Sequence, residues 1–264
     1  MEPMLRAINL TKRFGGLVAV DNASVDLFPG EVVGLVGDNG AGKSTLIKMI
    51  SGVYQPDGGE IFVDGHKIEF SGPREARDLG IETIYQDLAL AENLDVGSNI
   101  FLGRELKTPY LGGLIKTIDR RKMRDESSGV LKRLDIQVPS LTQQIRNLSG
   151  GQRQAVAIAR SIYWNARLMI MDEPTAALGV AEQRKVLTLV RTLAEQGVPV
   201  IIISHNMQDV FAVADRIVIM RRGKKVAERI AEETTPDEIV SLMVGAEAVH
   251  KMGVIPKAIN STQA

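Results

Sequence analysis

The sequence predicts an α/β protein with an α-helical subdomain inserted in the middle. Three observations lead there. An apolar run, Val32-Val33-Gly34-Leu35-Val36, enters the loop Gly37-Asp38-Asn39-Gly40-Ala41-Gly42-Lys43-Ser44-Thr45 and leaves it as Leu46-Ile47-Lys48-Met49-Ile50, which is strand, glycine loop, helix. Further apolar strands, Leu168 to Met171 and Val200 to Ile203, each end on polar residues and are followed by helical periodicity. Between 87 and 147 strand signals are missing, and apolar residues recur at helical spacing.

The loop from Gly37 to Thr45 keeps the spacing G-x-x-x-x-G-K-S, whose physics is phosphate binding. Glycines let the backbone turn tightly with its N–H groups aimed inward, and a helix N-terminus favours anions. Lys43 is placed to reach the β- and γ-phosphates, and Ser44 to offer a hydroxyl to Mg²⁺. The chain is therefore expected to bind a nucleoside triphosphate.

Taken in order, Leu5 to Leu10 and Val18 to Leu27 read as strands, the second closed by Pro29-Gly30. Phe14 lies between them in a polar, glycine-flanked loop, where it either stacks on a base or folds onto the core. Glu60 to Asp64 and His66 to Phe70 form a hairpin about Asp64-Gly65. Pro73 starts a short helix ending at Gly80, and Ile81 to Tyr85 returns as a strand with Gln86 at its end. In the helical insertion Val96 to Leu102 is one helix, and Asp119 is the N-cap of a second that carries Met123, Val130, Leu131 and Leu134. Thr108 to Gly113 and Pro139 to Thr142 are read as its loops. Val180 to Gln196 is a helix stopped by Gly197, and Met207 to Ala214 another. Arg216 to Met220 and Lys225 to Arg229 pair as strands. Thr235, Pro236 and Glu238 match N-cap, first-turn proline and capping-box glutamate of a last helix. The polar, aperiodic stretch from about Ala246 is expected to be a mobile tail.

Composition narrows the function. The 264 residues are 44% hydrophobic and 24% charged, ordinary for a globular chain with a sizeable core. Lys+Arg and Asp+Glu both total 32, so no nucleic-acid partner is expected. There is no cysteine, hence neither disulfide framework nor thiolate chemistry. The N-terminus lacks the shape of a signal peptide, and the most apolar run, Val198 to Ile203, is too short to cross a bilayer. If a membrane matters, another chain spans it.

Three further groups carry chemistry. Asp172 and Glu173 end a strand; beside a phosphate loop the first would hold the Mg²⁺ shell and the second would orient or deprotonate the attacking water, although such a pair also serves as a helix cap. In Leu148-Ser149-Gly150-Gly151-Gln152, Ser149 and Gln152 have capping-box spacing for a helix running to Trp164. Two glycines in its first turn cost about 1 kcal/mol each against alanine, so something is expected to approach that backbone closely. A helix end with a serine hydroxyl is a second anion site, and a two-fold dimer would let each chain's turn close over the other's nucleotide. His205 follows a buried strand at the same sheet edge as Asp172 and Gln86; it either contacts the γ-phosphate or is structural.

Together these residues resemble the ATP-binding subunit of ABC transporters, over nearly the whole chain and in the family's order: Phe14, Walker A Gly37 to Thr45, Gln86, signature Leu148 to Gln152, Walker B Leu168 to Asp172, Glu173 and switch His205. The resemblance implies a P-loop NTPase core of the RecA-like kind within a single domain over 1–245, its core and an N-terminal antiparallel β subdomain in 1–86 and 148–245 and its helical subdomain in 87–147. It implies ATP and Mg²⁺ as ligands, with Lys43, Glu173 and His205 catalytic, Ser44, Gln86 and Asp172 at the metal, and Ser149, Gly150, Gly151 and Gln152 acting across an ATP-sandwich dimer. Implied partners are transmembrane permease subunits docking around Gln86, a second copy of the chain and, indirectly, a periplasmic sugar-binding protein, at the cytoplasmic face of the inner membrane.

Ile84-Tyr85-Gln86-Asp87-Leu88-Ala89-Leu90, Asn99-Ile100-Phe101-Leu102-Gly103-Arg104-Glu105 and Glu173-Pro174-Thr175-Ala176-Ala177-Leu178-Gly179 look like monosaccharide importers of the ribose, xylose and fructose type. Most of those are tandem cassettes, so the chain is more similar to the single-cassette fructose-type members, with two copies per transporter. Gly179 stands where the family's loop usually ends in aspartate, and that aspartate's contacts across the dimer do not carry over. An importer of another small solute and a soluble, non-transport ABC ATPase are the alternatives.

Overall fold

The computed structural model describes residues 2–110, 115–176 and 178–245. The stretch expected to be a tail, 246–264, lies outside the described residues.

A four-stranded antiparallel sheet is built from β1 (Leu5–Phe14), β2 (Leu17–Leu27), β4 (Gly58–Val63) and β5 (His66–Ile68) in the order β2-β1-β4-β5. A six-stranded sheet takes β3 (Val32–Gly37), β6 (Ile81–Ile84), β9 (Leu168–Asp172), β10 (Val200–Ile203), β11 (Arg216–Arg221) and β12 (Lys224–Ile230) in the order β12-β11-β3-β10-β9-β6. All its pairings are parallel except the β11–β12 hairpin. The helices are α1 (Lys43–Ile50), α2 (Pro73–Asp78), α3 (Val96–Ile100), α4 (Arg120–Arg133), α5 (Gly150–Tyr163), α6 (Val180–Glu195), α7 (Met207–Val213) and α8 (Pro236–Val244).

The central strands are apolar throughout because both of their faces are covered. All six residues of β3 are buried: Val33 and Leu35 join α1 and the antiparallel sheet in one core, whereas Val32 faces α5 and α6 in another. Val36 belongs to a third cluster under α7 and α8, with Val210, Ile217 and Ile239. Gly34 is required by packing, since a Cβ there would sit 2.6 Å from Val210 Cγ1.

Several elements depart from the sequence-based expectation. Lys107–Tyr110 and Ile115–Ile118 pair antiparallel as β7 and β8, so the insertion is not purely helical and Thr108 to Tyr110 is strand rather than loop. Four residues per strand are too few for an alternation to stand out of the helical background. β1 continues four residues past Leu10 because its register slips against β2 between Ala7 and Lys12, which hides the alternation. The first insertion helix stops at Ile100 rather than Leu102. Thr235 caps α8 through its hydroxyl, which accepts from Glu238 N–H at 3.3 Å, but the carboxylate of Glu238 does not close a capping box. It accepts instead from Arg229 Nε at 2.8 Å and Thr234 Oγ1 at 2.7 Å, because a nearby guanidinium outcompetes a backbone N–H.

Candidate nucleotide-binding and catalytic site

Register places the site. Ile203 of β10 lies opposite Leu35 of β3 and Asp172 of β9, while Ile84 of β6 lies opposite Met171. The phosphate loop, Glu173, His205 and Gln86 therefore all leave the carboxyl edge of one parallel sheet, where ligands bind in open α/β folds.

The phosphate loop is held by glycine geometry. Gly40 and Gly42 have φ of +78° and +100°. A Cβ on Gly42 would meet the Ala19 carbonyl oxygen at 2.6 Å, and one on Gly37 would collide with the Met220 carbonyl. Ala41 is buried and locks the loop, donating its N–H to the Asp38 carbonyl at 3.0 Å. Asp38 and Asn39 are exposed, with Asp38 Oδ1 accepting from Asn39 N–H at 2.8 Å. Gly42 is the N-cap of α1 and makes no side-chain cap bond, so the first N–H groups of that helix stay available for an anion. Lys43 Nζ donates to the carbonyls of Gly37 at 2.7 Å and Asp38 at 3.1 Å, which curls the ammonium over the loop. Burial pulls Lys43 below its usual range, and the charges of Glu173, Asp172 and Asp38 partly offset that. Ser44 is exposed beside it and Thr45 half-buried.

Asp172 is half-buried at the end of β9. Burial first, then the neighbouring Glu173 charge, push its carboxyl above the usual range, with Lys43 and Lys48 pulling the other way. Glu173 has left-handed backbone, φ +52°, uncommon outside glycine and of the kind that gathers at functional sites. Its N–H donates to the Ile203 carbonyl at 2.8 Å and its Oε1 accepts from His205 N–H at 3.1 Å. Glu173 Oε2 is buried and lies 2.8 Å from His205 Nδ1, close enough to accept a hydrogen bond when that nitrogen carries the proton. The imidazole itself is exposed, its side chain 80% accessible.

Gln86, two residues beyond β6, lines a cavity of about 260 Å³ with Glu173, Gly150, Arg153 and Leu178. Sequence reasoning missed the residue that fixes the segment after Gln86: Arg160 of α5 donates to the carbonyls of Ala89 at 3.0 Å and Leu88 at 3.1 Å. An arginine within the helix's apolar spacing was the available signal.

The turn before α5 forms the predicted capping box. Ser149 Oγ accepts from Gln152 N–H at 3.3 Å, and Gln152 Oε1 accepts from Ser149 N–H at 3.0 Å. Within the chain, the close approach expected at its glycines is made by the chain itself. A Cβ on Gly150 would meet Leu178 Cδ2 at 2.6 Å, and one on Gly151 would meet Glu182 Cβ at 3.0 Å. Ser149, Gly151 and Gln152 line a second cavity, of about 480 Å³, that the phosphate loop does not reach.

Phe14 ends β1, 43% exposed, its ring edge-on to Tyr54 at 5.3 Å between centroids with Lys12 Nζ 5.8 Å from its face. It is partly supported by the fold and still offers a surface for stacking.

Among the described residues no cluster of three or more His, Asp or Glu could hold a metal alone. Ser44, Gln86 and Asp172 offer hard oxygen donors, and Asp172 is a half-buried carboxylate at the end of β9. Both fit Mg²⁺ shared with nucleotide phosphates. Also among the described residues, no helix is long and apolar enough to cross a membrane.

Residues 20–176 match the ABC transporter family model. The chain is 48% identical to the xylose/arabinose import ATP-binding protein XylG of Sulfolobus acidocaldarius, over 92% of this chain and 94% of that protein. It is 46% identical to the fructose import ATP-binding protein FrcA of Rhizobium meliloti, over 93% and 95%. Among solved structures it resembles the ADP conformation of MJ1267, an ATP-binding cassette of an ABC transporter, with TM-score 0.78, 26% identity and 96% and 100% coverage. It also resembles the dimeric, post-hydrolysis ATP-binding cassette MJ0796 bound to ADP and Pi, with TM-score 0.71, 26% identity and 86% and 99% coverage. A phosphate loop, a carboxylate pair and a capped serine-glycine turn on this fold, matched by the family model and by relatives over nearly the whole chain, place it in the ABC transporter family, as an ATP-binding cassette.

Proposed function

We propose that this chain is the ATP-hydrolysing, energy-coupling subunit of a monosaccharide importer. The observation that carries it is the convergence of Lys43, Asp172, Glu173 and His205 at one sheet edge, with the Glu173 carboxylate held against His205. The sugar assignment is supported by near end-to-end similarity to the two import proteins.

The loop N–H groups and Lys43 bind the phosphates. Ser44, Gln86 and Asp172 would hold Mg²⁺, which would supply positive charge to the nucleotide phosphates. The carboxylate of Glu173 is the acceptor for the attacking water, and the imidazole of His205 lies beside it to fix that water's geometry. Phe14 stacks on the base. A second copy supplies Ser149, Gly150, Gly151 and Gln152 to the γ-phosphate, the N-terminus of α5 offering its first N–H groups and the Ser149 hydroxyl to an anion. Closure and reopening of that dimer pass through Gln86 and the helical subdomain to transmembrane permease subunits, which receive the sugar from a periplasmic binding protein. The chain works peripherally at the cytoplasmic face of the inner membrane.

The test is uptake of a panel of labelled monosaccharides in cells lacking the chain, rescued by wild type or by Glu173→Gln. One sugar lost and restored only by wild type supports the reading. Unchanged uptake of every sugar refutes it.

A further inference from the structure

Thr175 and Asp209 meet in the interior, 34 positions apart. Thr175 Oγ1 donates to Asp209 Oδ2 at 2.6 Å, and the two residues are 3% and 5% exposed. Thr175 lies just beyond Glu173 on one segment, and Asp209 just beyond His205 on the other. The same two segments are thus tied twice, once by the Glu173–His205 contacts at the surface and once by this buried bond.

Glu173 sits in left-handed backbone that persists only where its surroundings hold it. Upstream it is held by the Ile203 carbonyl, and Ala176 N–H closes the turn on the Glu173 carbonyl at 3.1 Å. Thr175 is the residue of that turn whose side chain is anchored outside it. The anchor is firm, because Asp209 is in the first turn of α7, where the helix field favours a carboxylate. The next residue, Val210, packs against Gly34 of β3 so closely that no Cβ would fit there. A buried carboxylate is costly without its hydrogen bond, whereas two apolar side chains would fill the same space without that cost.

We propose that Thr175 and Asp209 are positioning residues for hydrolysis, setting the spacing of Glu173 and His205 from beneath the site. This rests on the reading of Glu173 as the group that handles the attacking water.

The test compares ATPase rates and ATP affinity of the full chain, assembled with its membrane partners, as wild type, Glu173→Gln, Thr175→Val, Thr175→Ser and the pair Thr175→Val with Asp209→Leu. Thr175→Val is expected to lower kcat about 10- to 100-fold, the scale of a misplaced catalytic group, with KM for ATP within about threefold. Thr175→Ser, which keeps the hydroxyl, restores kcat. The double variant removes the unpaired buried charge, so its Tm recovers while kcat stays low. Wild-type kcat in Thr175→Val overturns the inference. So does a double variant whose kcat returns together with its Tm, because the bond is then only structural. Wild-type turnover by Glu173→Gln would instead sink the reading of Glu173. An inactive Glu173→Gln beside a fully active Thr175→Val would sink the positioning role alone.

Discussion

Replacing Arg216 with methionine is expected to destabilise the chain by about 3–5 kcal/mol, the range for breaking a buried ion pair from one side. Arg216 opens β11 and forks onto Glu31, with Nε 2.7 Å from Oε1 and Nη2 2.8 Å from Oε2. It also donates from Nη1 to Glu228 at 2.8 Å and from Nη2 to the Asp26 carbonyl at 2.6 Å. The Arg216 and Glu31 side chains are only 14% and 15% exposed, so water replaces the lost partner only in part. Glu228 retains Lys225, whereas Glu31 would keep, among the described residues, only Phe28 N–H at 3.1 Å. The cost therefore falls on Glu31. At about 2–4 °C per kcal/mol for a chain of this size, Tm drops by about 6–20 °C. Urea unfolding followed by circular dichroism measures it, with Arg216→Met combined with Glu31→Leu as control. The combined variant should recover most of the loss because no unpaired charge remains. A single-variant loss below about 1 kcal/mol, or a combined variant no better than the single, would refute the claim that a stranded Glu31 carries the energy.

Two further outcomes are expected. Because burial and Glu173 raise the folded-state pKa of Asp172, the ionised carboxylate is disfavoured by the fold, and the stability linked to its protonation is present at low pH and lost as pH rises through that value. Asp172→Asn should therefore leave the nucleotide-free chain at least as stable as wild type at neutral pH while abolishing Mg²⁺-dependent stabilisation by ATP; a thermal-shift series with and without Mg²⁺ checks both, and a lower ligand-free Tm contradicts the reasoning. Ser149→Ala removes one cap bond, about 1 kcal/mol, and should leave ATP binding intact while turnover collapses. Equal losses of binding and turnover would place the serine on its own chain's nucleotide.

Much of the site was legible because its chemistry is local. The phosphate loop, the capping box at Ser149 and Gln152, the Asp119 cap of α4 and the Asp172-Glu173 strand end each depend on residues within a few positions of one another. What escaped was the partner of Glu238, which goes to Arg229 on the preceding strand, and the strand pair β7–β8, whose segments are too short to announce themselves. The glycines of the serine-glycine turn were recognised as unusual, but their neighbours inside the chain, Leu178 and Glu182, come from a segment about thirty residues away.

By itself the sequence determined the order of the helices and of the strands outside the β7–β8 pair, the anion-binding loop and the residue types available for phosphate chemistry, because backbone conformation and capping answer to near neighbours. Tertiary structure alone decided that β3 sits between β11 and β10, that Glu173 is held in left-handed backbone against Ile203, and that Thr175 closes onto Asp209. Those contacts join segments far apart in the chain. They form only when the two faces of the central sheet are buried together, and no local pattern encodes which distant residue will lie opposite.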